Sequence, residues 1–432
     1  MDKILMGNER LHLRSPNIHI CHVISISGEI NEDKFTKAVE ALGRRHIILT
    51  CALRPGDNHS VFYAPHTTAI GVEIYDDSEM EWADWYEKAD ARPFDFEKGP
   101  LVKFCLIRKK DGADIIIFGH HIIADGFGYY NMFRDFFKAL DGGLDETPLK
   151  PLVDLSLKTA VVHDPIKAYL AKHMNAAWRE SRKSFTQKEF EVFFYKYRAK
   201  NVPDMYLDSF DRRELAALIS KSKEIGVTVN SMLCTAFALA LKKCDHQYAH
   251  NDIGLGVPVN IRDDINVPLS GHLGNFSTGI SVSVEFDASS DFAGYVRTVN
   301  QKIRAKLANP QDRYETILFV NALDKDFLES VYFAEYGDYD NPISKKLAQA
   351  LSEKQGTRRI GLTNLGVQDF GVYNSFCVQD VLAIPPAFPS NLLTVSAMTL
   401  NGQMNICIRF LKSSYSYDII EEIFGTVKKY CC

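Results

Sequence analysis

The run Ile115-Ile-Ile-Phe-Gly-His120-His121-Ile-Ile-Ala-Asp125-Gly126-Phe-Gly constrains this chain more than any other stretch. The apolar segment is short and β-branched and follows the turn-like Lys110-Asp-Gly-Ala, so residues 114 to 121 are predicted to form a buried strand. From Gly126 onward Phe127, Tyr130, Phe133, Phe136, Phe137 and Leu140 recur at helical spacing, until Asp141-Gly142-Gly143 ends the pattern. Two histidines, an aspartate and a glycine therefore fall where strand gives way to helix, which marks a candidate site. Successive side chains on a strand face opposite ways, so only one of His120 and His121 can reach a given cavity. Alternation alone does not choose between them, and it argues against a metal held by His120, His121 and Asp125 together. No metal site is expected. A neutral imidazole, with an ordinary pKa near 6.5, is suited to accept a proton at cellular pH. No serine or cysteine stands in a nucleophile setting.

The rest of the chain bounds the classes of function. With 432 residues and 46% hydrophobic content it can build two domains with substantial cores. A net charge of -5 and the lack of a basic stripe argue against nucleic acid as a partner. The charged start and the absence of any run near ~18 apolar residues argue against a signal peptide or stable membrane insertion, so a cytoplasmic protein is expected. Cysteines number nine, without a C-x-x-C pair. Cys105, Cys234, Cys377 and Cys407 sit in apolar sequence and read as reduced core residues.

In order, a strand is predicted over Ile18 to Ser27, followed by a helix with Asn31 as N-cap and Phe35, Ala38, Val39 and Leu42 buried. Beyond the central helix the period weakens over 145 to 203 apart from a helical stretch near Trp178, and the boundary between domains 1–203 and 204–432 falls at Val202-Pro203. A helix capped by Asp208 or Ser209 would turn Leu215, Leu218 and Ile219 inward, and Thr228 to Leu241 reads as a buried core helix. Strands follow at Ile253 to Ile261 and Ile280 to Phe286, no site is legible over 310 to 357, and Asn401-Gly402 predicts a type I′ hairpin before a closing helix.

The spacing His120-His121-x-x-x-Asp125-Gly126 resembles the motif of the condensation domains of non-ribosomal peptide synthetases, their stand-alone relatives and the wider chloramphenicol acetyltransferase-like superfamily. Further stretches are similar in register: Leu42-Gly-Arg-Arg-His46-Ile-Ile-Leu, the turn Gly99-Pro100 feeding the next strand, Pro258-Val-Asn-Ile-Arg262, Leu273-Gly-Asn275-Phe276 and Thr363-Asn364-Leu365-Gly366. The resemblance implies an α/β fold of two lobes in a V-shaped pseudo-dimer, with mostly antiparallel sheets, flanking helices and a central tunnel. The first lobe carries the motif; the second supplies a floor loop and a crossing segment.

The same resemblance implies an acyltransferase moving an acyl group from a thioester to an amine or hydroxyl acceptor by general-base catalysis, with amide-forming condensation in natural-product biosynthesis favoured. The alternatives are O-acylation of long-chain alcohols and a non-catalytic protein that docks a carrier protein. The donor would be acyl-coenzyme A or an acyl or peptidyl carrier protein, so coenzyme A or phosphopantetheine belongs to the donor and no cofactor is bound. A free-standing enzyme meeting its donor in trans is expected. By resemblance His121 and Asp125 are the catalytic positions, His121 as base and Asp125 as the ion that shapes the loop. His120 supports from the opposite face, and Gly126 keeps the tunnel clear. The family usually has arginine where this chain has Thr50, which leaves Arg45 and Arg262 as candidate partners of Asp125. Asn275, Thr278 and Asn364 are the candidate substrate-binding residues, Thr278 standing where the family more often has asparagine.

Overall fold

A computed structural model describes the chain except residues 1–3, 66–68, 153–155, 249–251, 270, 286–289 and 355–357. The strand expected over 114 to 121 is central and runs from Gly112 to His120, so His121 falls in the turn just past its end. Gly112–His120 lies within a five-stranded sheet ordered Cys377–Ile384, His19–Ser27, Gly112–His120, Val102–Lys109, Gly71–Asp76. All neighbours are antiparallel except the last pair. Ile115, Ile116, Ile117 and Phe118 are fully buried, because helices cover both faces of the sheet. Glu32–Arg45 and Gly126–Leu140 meet through Phe35 and Phe136 on one side, and Trp85 of Trp82–Asp90 packs edge-on against Phe118 on the other.

A six-stranded sheet forms the second lobe, ordered Ser277–Val284, Ile253–Asn260, Arg358–Val367, Leu393–Leu400, Gln403–Leu411, Pro203–Phe210. Arg358–Val367 runs parallel to both neighbours and the other pairs are antiparallel. The strand Cys377–Ile384 leaves this lobe and pairs with His19–Ser27 at the edge of the first sheet, so the second lobe lends a strand to the first.

Local chemistry accounts for most boundaries. Asn31 caps its helix by accepting from Asp33 N at 2.8 Å, and Asn401 and Gly402 turn the hairpin with φ of 50° and 81°. The expected cap at Asp208 or Ser209 is corrected. Both residues lie in Pro203–Phe210, held there by pairing with Gln403–Leu411, and the helix Arg212–Ile225 starts from the capping box of Asp211 and Glu214. Ile219 is 37% exposed and does not join Leu215 and Leu218 in the core. Cys377 is also corrected: it opens an edge strand and is exposed, unlike buried Cys105, Cys234 and Cys407. The strand expected to reach Phe286 is Ser277–Val284, and Phe286 lies outside the described residues.

Two regions without a legible pattern prove helical. Thr186 and Glu189 form a capping box that opens Gln187–Arg198, and residues 310 to 354 form Pro310–Asn321, Lys325–Tyr336 and Pro342–Lys354. These last helices gather on Pro165–Glu180, where Trp178 stacks on Phe327 at 5.0 Å and gives its ring N–H to Asp326 at 2.9 Å. Arg10, in the short turn Arg10–Leu13, reaches Glu329 of Lys325–Tyr336 at 2.6 Å, both side chains being 5% exposed. That buried pair fixes the N-terminal turn beside the lobes. Among the described residues no single helix is long and apolar enough to cross a membrane.

Candidate active site

The two histidines part where the strand ends: His120 is its last residue and His121 opens the turn. His120 closes the motif strand opposite His19 and turns into the aromatic core, 5.3 Å from Phe96 and 6.3 Å from Phe94. It is 1% exposed, its Nδ1 accepts from Ile122 N at 3.3 Å, and burial first, then neighbouring charges, hold its pKa well below the ordinary value. His121 faces the other way, into a cavity of about 370 Å³ between the lobes. Burial lowers its pKa, opposed by a hydrogen bond to its own backbone carbonyl and by the charge of Asp125. The lowered pKa leaves the ring neutral at pH 7. The acid limb of any rate that depends on it is expected to fall below pH 6.5, as a pH–rate profile would show.

Asp125 has a different task. It caps Gly126–Leu140, accepting from Gly128 N at 2.8 Å, and it accepts from Phe276 N at 2.9 Å. Arg262 completes the set in bidentate fashion, Nη2 to Oδ1 at 2.7 Å and Nη1 to Oδ2 at 2.9 Å. A carboxylate with both oxygens so occupied, and 4% exposed, orders the loop and has no free lone pair to act as a base. Of the two candidate partners the structure brings Arg262 to Asp125, while Arg45 pairs with Asp135 at 3.0 Å. Thr50 donates its hydroxyl to Ile47 O at 3.0 Å and takes no part. The guanidinium for the motif loop comes from the second lobe.

Gly126 lines the cavity, yet a Cβ there would first meet Leu365 Cδ2 at 3.0 Å. The expectation of an open path beyond Gly126 is refined accordingly: Leu365, on Arg358–Val367 of the second lobe, stands in it. Gly126→Val should push Leu365 aside and cost about 1–3 kcal/mol of folding stability, with Gly126→Ala near the lower end, as urea unfolding would report.

Asn275, Thr278 and Asn364 all line the same cavity. The Asn275 amide lies 3.4 Å from His121 Nδ1, and its Oδ1 accepts from Ser277 Oγ at 2.8 Å. Thr278 gives its hydroxyl to Arg313 O at 3.3 Å, and Asn364 Oδ1 accepts from Gly366 N at 2.9 Å in a turn. Sequence reasoning missed His12, whose ring stacks on His121, and the apolar wall of Ile317, Val320, Val331, Tyr332 and Tyr336. No sequence signal marks them, since the wall depends on Arg10 meeting a glutamate 319 residues away. Among the described residues no three potential metal ligands gather.

Burial pushes His12 and His22 down to about 3, with His121 adding to the effect on His12. In the unfolded chain both return to about 6.5. As pH falls below 6.5 the unfolded chain therefore binds protons that the folded one refuses, so stability present above 6.5 is lost progressively toward pH 3. The urea midpoint should be lower at pH 5 than at pH 7, the slope being at most ~1.4 kcal/mol per pH unit per histidine. His22→Phe should reduce that difference.

Comparison with known proteins gives one consistent answer. The sequence profile described as the Condensation domain matches residues 9–354. Tyrocidine synthase 3 of Brevibacillus parabrevis is 23% identical over 346 residues, covering 77% of this chain and 5% of that much longer protein. The condensation domain of the Monacolin K polyketide synthase MokA superposes with a TM-score of 0.67 at 12% identity, covering 100% of this chain and 97% of that one. TRI3 trichothecene 15-O-acetyltransferase of Fusarium sporotrichioides superposes with a TM-score of 0.69 at 11% identity, covering 99% and 94%.

Proposed function

The chain belongs to the Condensation domain family, and from that premise we propose that it moves an acyl group from a pantetheine thioester to an amine, forming an amide. The observation that carries this reading is His121, held neutral by burial and facing a cavity between two lobes locked together by Asp125 and Arg262. The acceptor's lone pair bonds to the thioester carbonyl carbon, the π pair moves to oxygen, and the His121 ring takes the acceptor's proton. On collapse the carbonyl re-forms, the C–S pair leaves with sulfur, and sulfur receives the proton from His121. No covalent enzyme intermediate is required.

Coenzyme A and the phosphopantetheine arm of a carrier protein present the same thioester, so either is a fitting donor, and the protein works in the cytoplasm where both occur. The match to a peptide synthetase supports a carrier protein as the donor's bearer and a place in natural-product assembly. Ester formation is the second reading, favoured by the likeness to an O-acetyltransferase in fold. The test offers octylamine and octanol together with acyl-coenzyme A and acyl-carrier donors and weighs the products by mass spectrometry. An excess of amide supports the proposal and an excess of ester replaces it with O-acyl transfer. No product, with carrier binding retained, would leave a docking protein.

A further inference from the structure

His121 has a second imidazole beside it. His12 is carried by the turn Arg10–Leu13, which Arg10 ties to Glu329, and its ring lies 5.4 Å from that of His121 at an interplanar angle of 26°. Phe388 lies against both rings, 6.3 Å from His12 and 6.4 Å from His121. Both histidines line the same cavity. His12 Nδ1 is shut off from solvent without a hydrogen-bond partner, so the only polar atom that this ring can offer the cavity is Nε2. Burial, with His121 adding to it, pushes the ring's pKa to about 3, so at working pH it is neutral and carries one proton.

The location of that proton follows from the burial. A buried N–H without an acceptor is rarer and costlier than a buried lone pair without a donor. The proton therefore belongs on Nε2, and His12 presents an N–H to the cavity. Two hydroxyls of the cavity wall have their protons engaged, Ser277 donating to Asn275 Oδ1 and Thr278 to Arg313 O.

We propose that His12 is the oxyanion donor of the acyl transfer, its Nε2–H bonding the thioester carbonyl oxygen as that oxygen becomes negative. The inference rests on the acyl-transfer reading above. An acceptor held about 2.8 Å from His121 places the carbonyl carbon one bond further on. A ring 5.4 Å from His121 then leaves room for the carbonyl oxygen at an ordinary ~2.9 Å from His12. In this step His12 keeps its proton: the π pair shifts to oxygen, the hydrogen bond shortens, and collapse returns the pair. A neutral imidazole suits the task, since it polarises a carbonyl without protonating it.

The test compares wild type, His12→Phe and His12→Gln in the acylation of octylamine by octanoyl-pantetheine, the arm common to both donor sources. Phenylalanine keeps a ring on His121 and removes the N–H, so kcat should fall about 10²–10³-fold while the donor KM moves less than about threefold. Glutamine restores an N–H and should recover at least tenfold of that loss, roughly a third to half of it on a logarithmic scale. The infrared carbonyl band of bound [1-¹³C]octanoyl-pantetheine, without acceptor, should lie lower in wild type than in His12→Phe. Wild-type turnover and an unmoved band in His12→Phe would overturn the assignment while leaving the acyltransferase standing. No amide or ester from wild type would remove the acyl-transfer reading and His12's role with it. If His12→Phe fails to fold by circular dichroism, His12→Leu against His12→Gln gives the same contrast.

Discussion

His121→Ala is expected to lower acyl transfer about 10²–10⁴-fold, the usual range for a positioned general base. The protein should still fold, because no structural hydrogen bond of the motif loop depends on this ring. The loop is held by Asp125, through Arg262, Gly128 N and Phe276 N. The residual rate should also lose the acid limb that protonation of His121 gives wild type. Loss of the thioester's ultraviolet absorbance, followed from pH 5 to pH 8, measures both effects. A variant within about threefold of wild type, a difference under ~0.7 kcal/mol, would mean that the proton leaves by another route.

Asp125→Ala is expected to be the most damaging change to the motif's architecture. It leaves the Arg262 side chain, 13% exposed, without its counter-charge, and breaking a buried pair from one side costs about 3–5 kcal/mol. Two backbone N–H groups lose their acceptor in the same step. Urea unfolding should show the loss as a lower midpoint, and activity should fall with it. Arg262→Leu strands the carboxylate instead and should cost a similar amount. The double variant Asp125→Ala/Arg262→Leu should cost clearly less than the two singles together, since it strands neither charge. Additive losses would show that the pair does not couple the lobes.

What the sequence made legible follows the range of the forces involved. The motif strand, the hairpin at Asn401-Gly402 and the cap at Asn31 rest on periodicity and on side chains acting within a few residues, and all three stand in the structure. Strand alternation predicted that His120 and His121 part company, and they do, with His121 in the cavity. The strand ends at His120, however, so the turn, not the pleat, directs His121. The cap of Arg212–Ile225 was misplaced because two acidic or hydroxyl residues precede it, and only pairing with Gln403–Leu411 shows that the strand continues to Phe210. Arg45 and Arg262 were equal candidates for Asp125, because an ion pair across 137 residues leaves no local trace. The helices of 310 to 354 face Pro165–Glu180 and the cavity together, so no single apolar stripe announced them. His12 was illegible for the same reason: its place depends on Arg10 and Glu329, remote in sequence and buried together.

The central claim is that His121, in the cavity between the lobes, carries acyl transfer. Its most direct test is product mass spectrometry on wild type and His121→Ala in parallel, each folded by circular dichroism and each given the same acyl thioesters and mixed amine and alcohol acceptors. The account predicts an acceptor heavier by one acyl group from wild type and almost none from the variant. Equal amounts from both, or none from wild type with any donor, would contradict it.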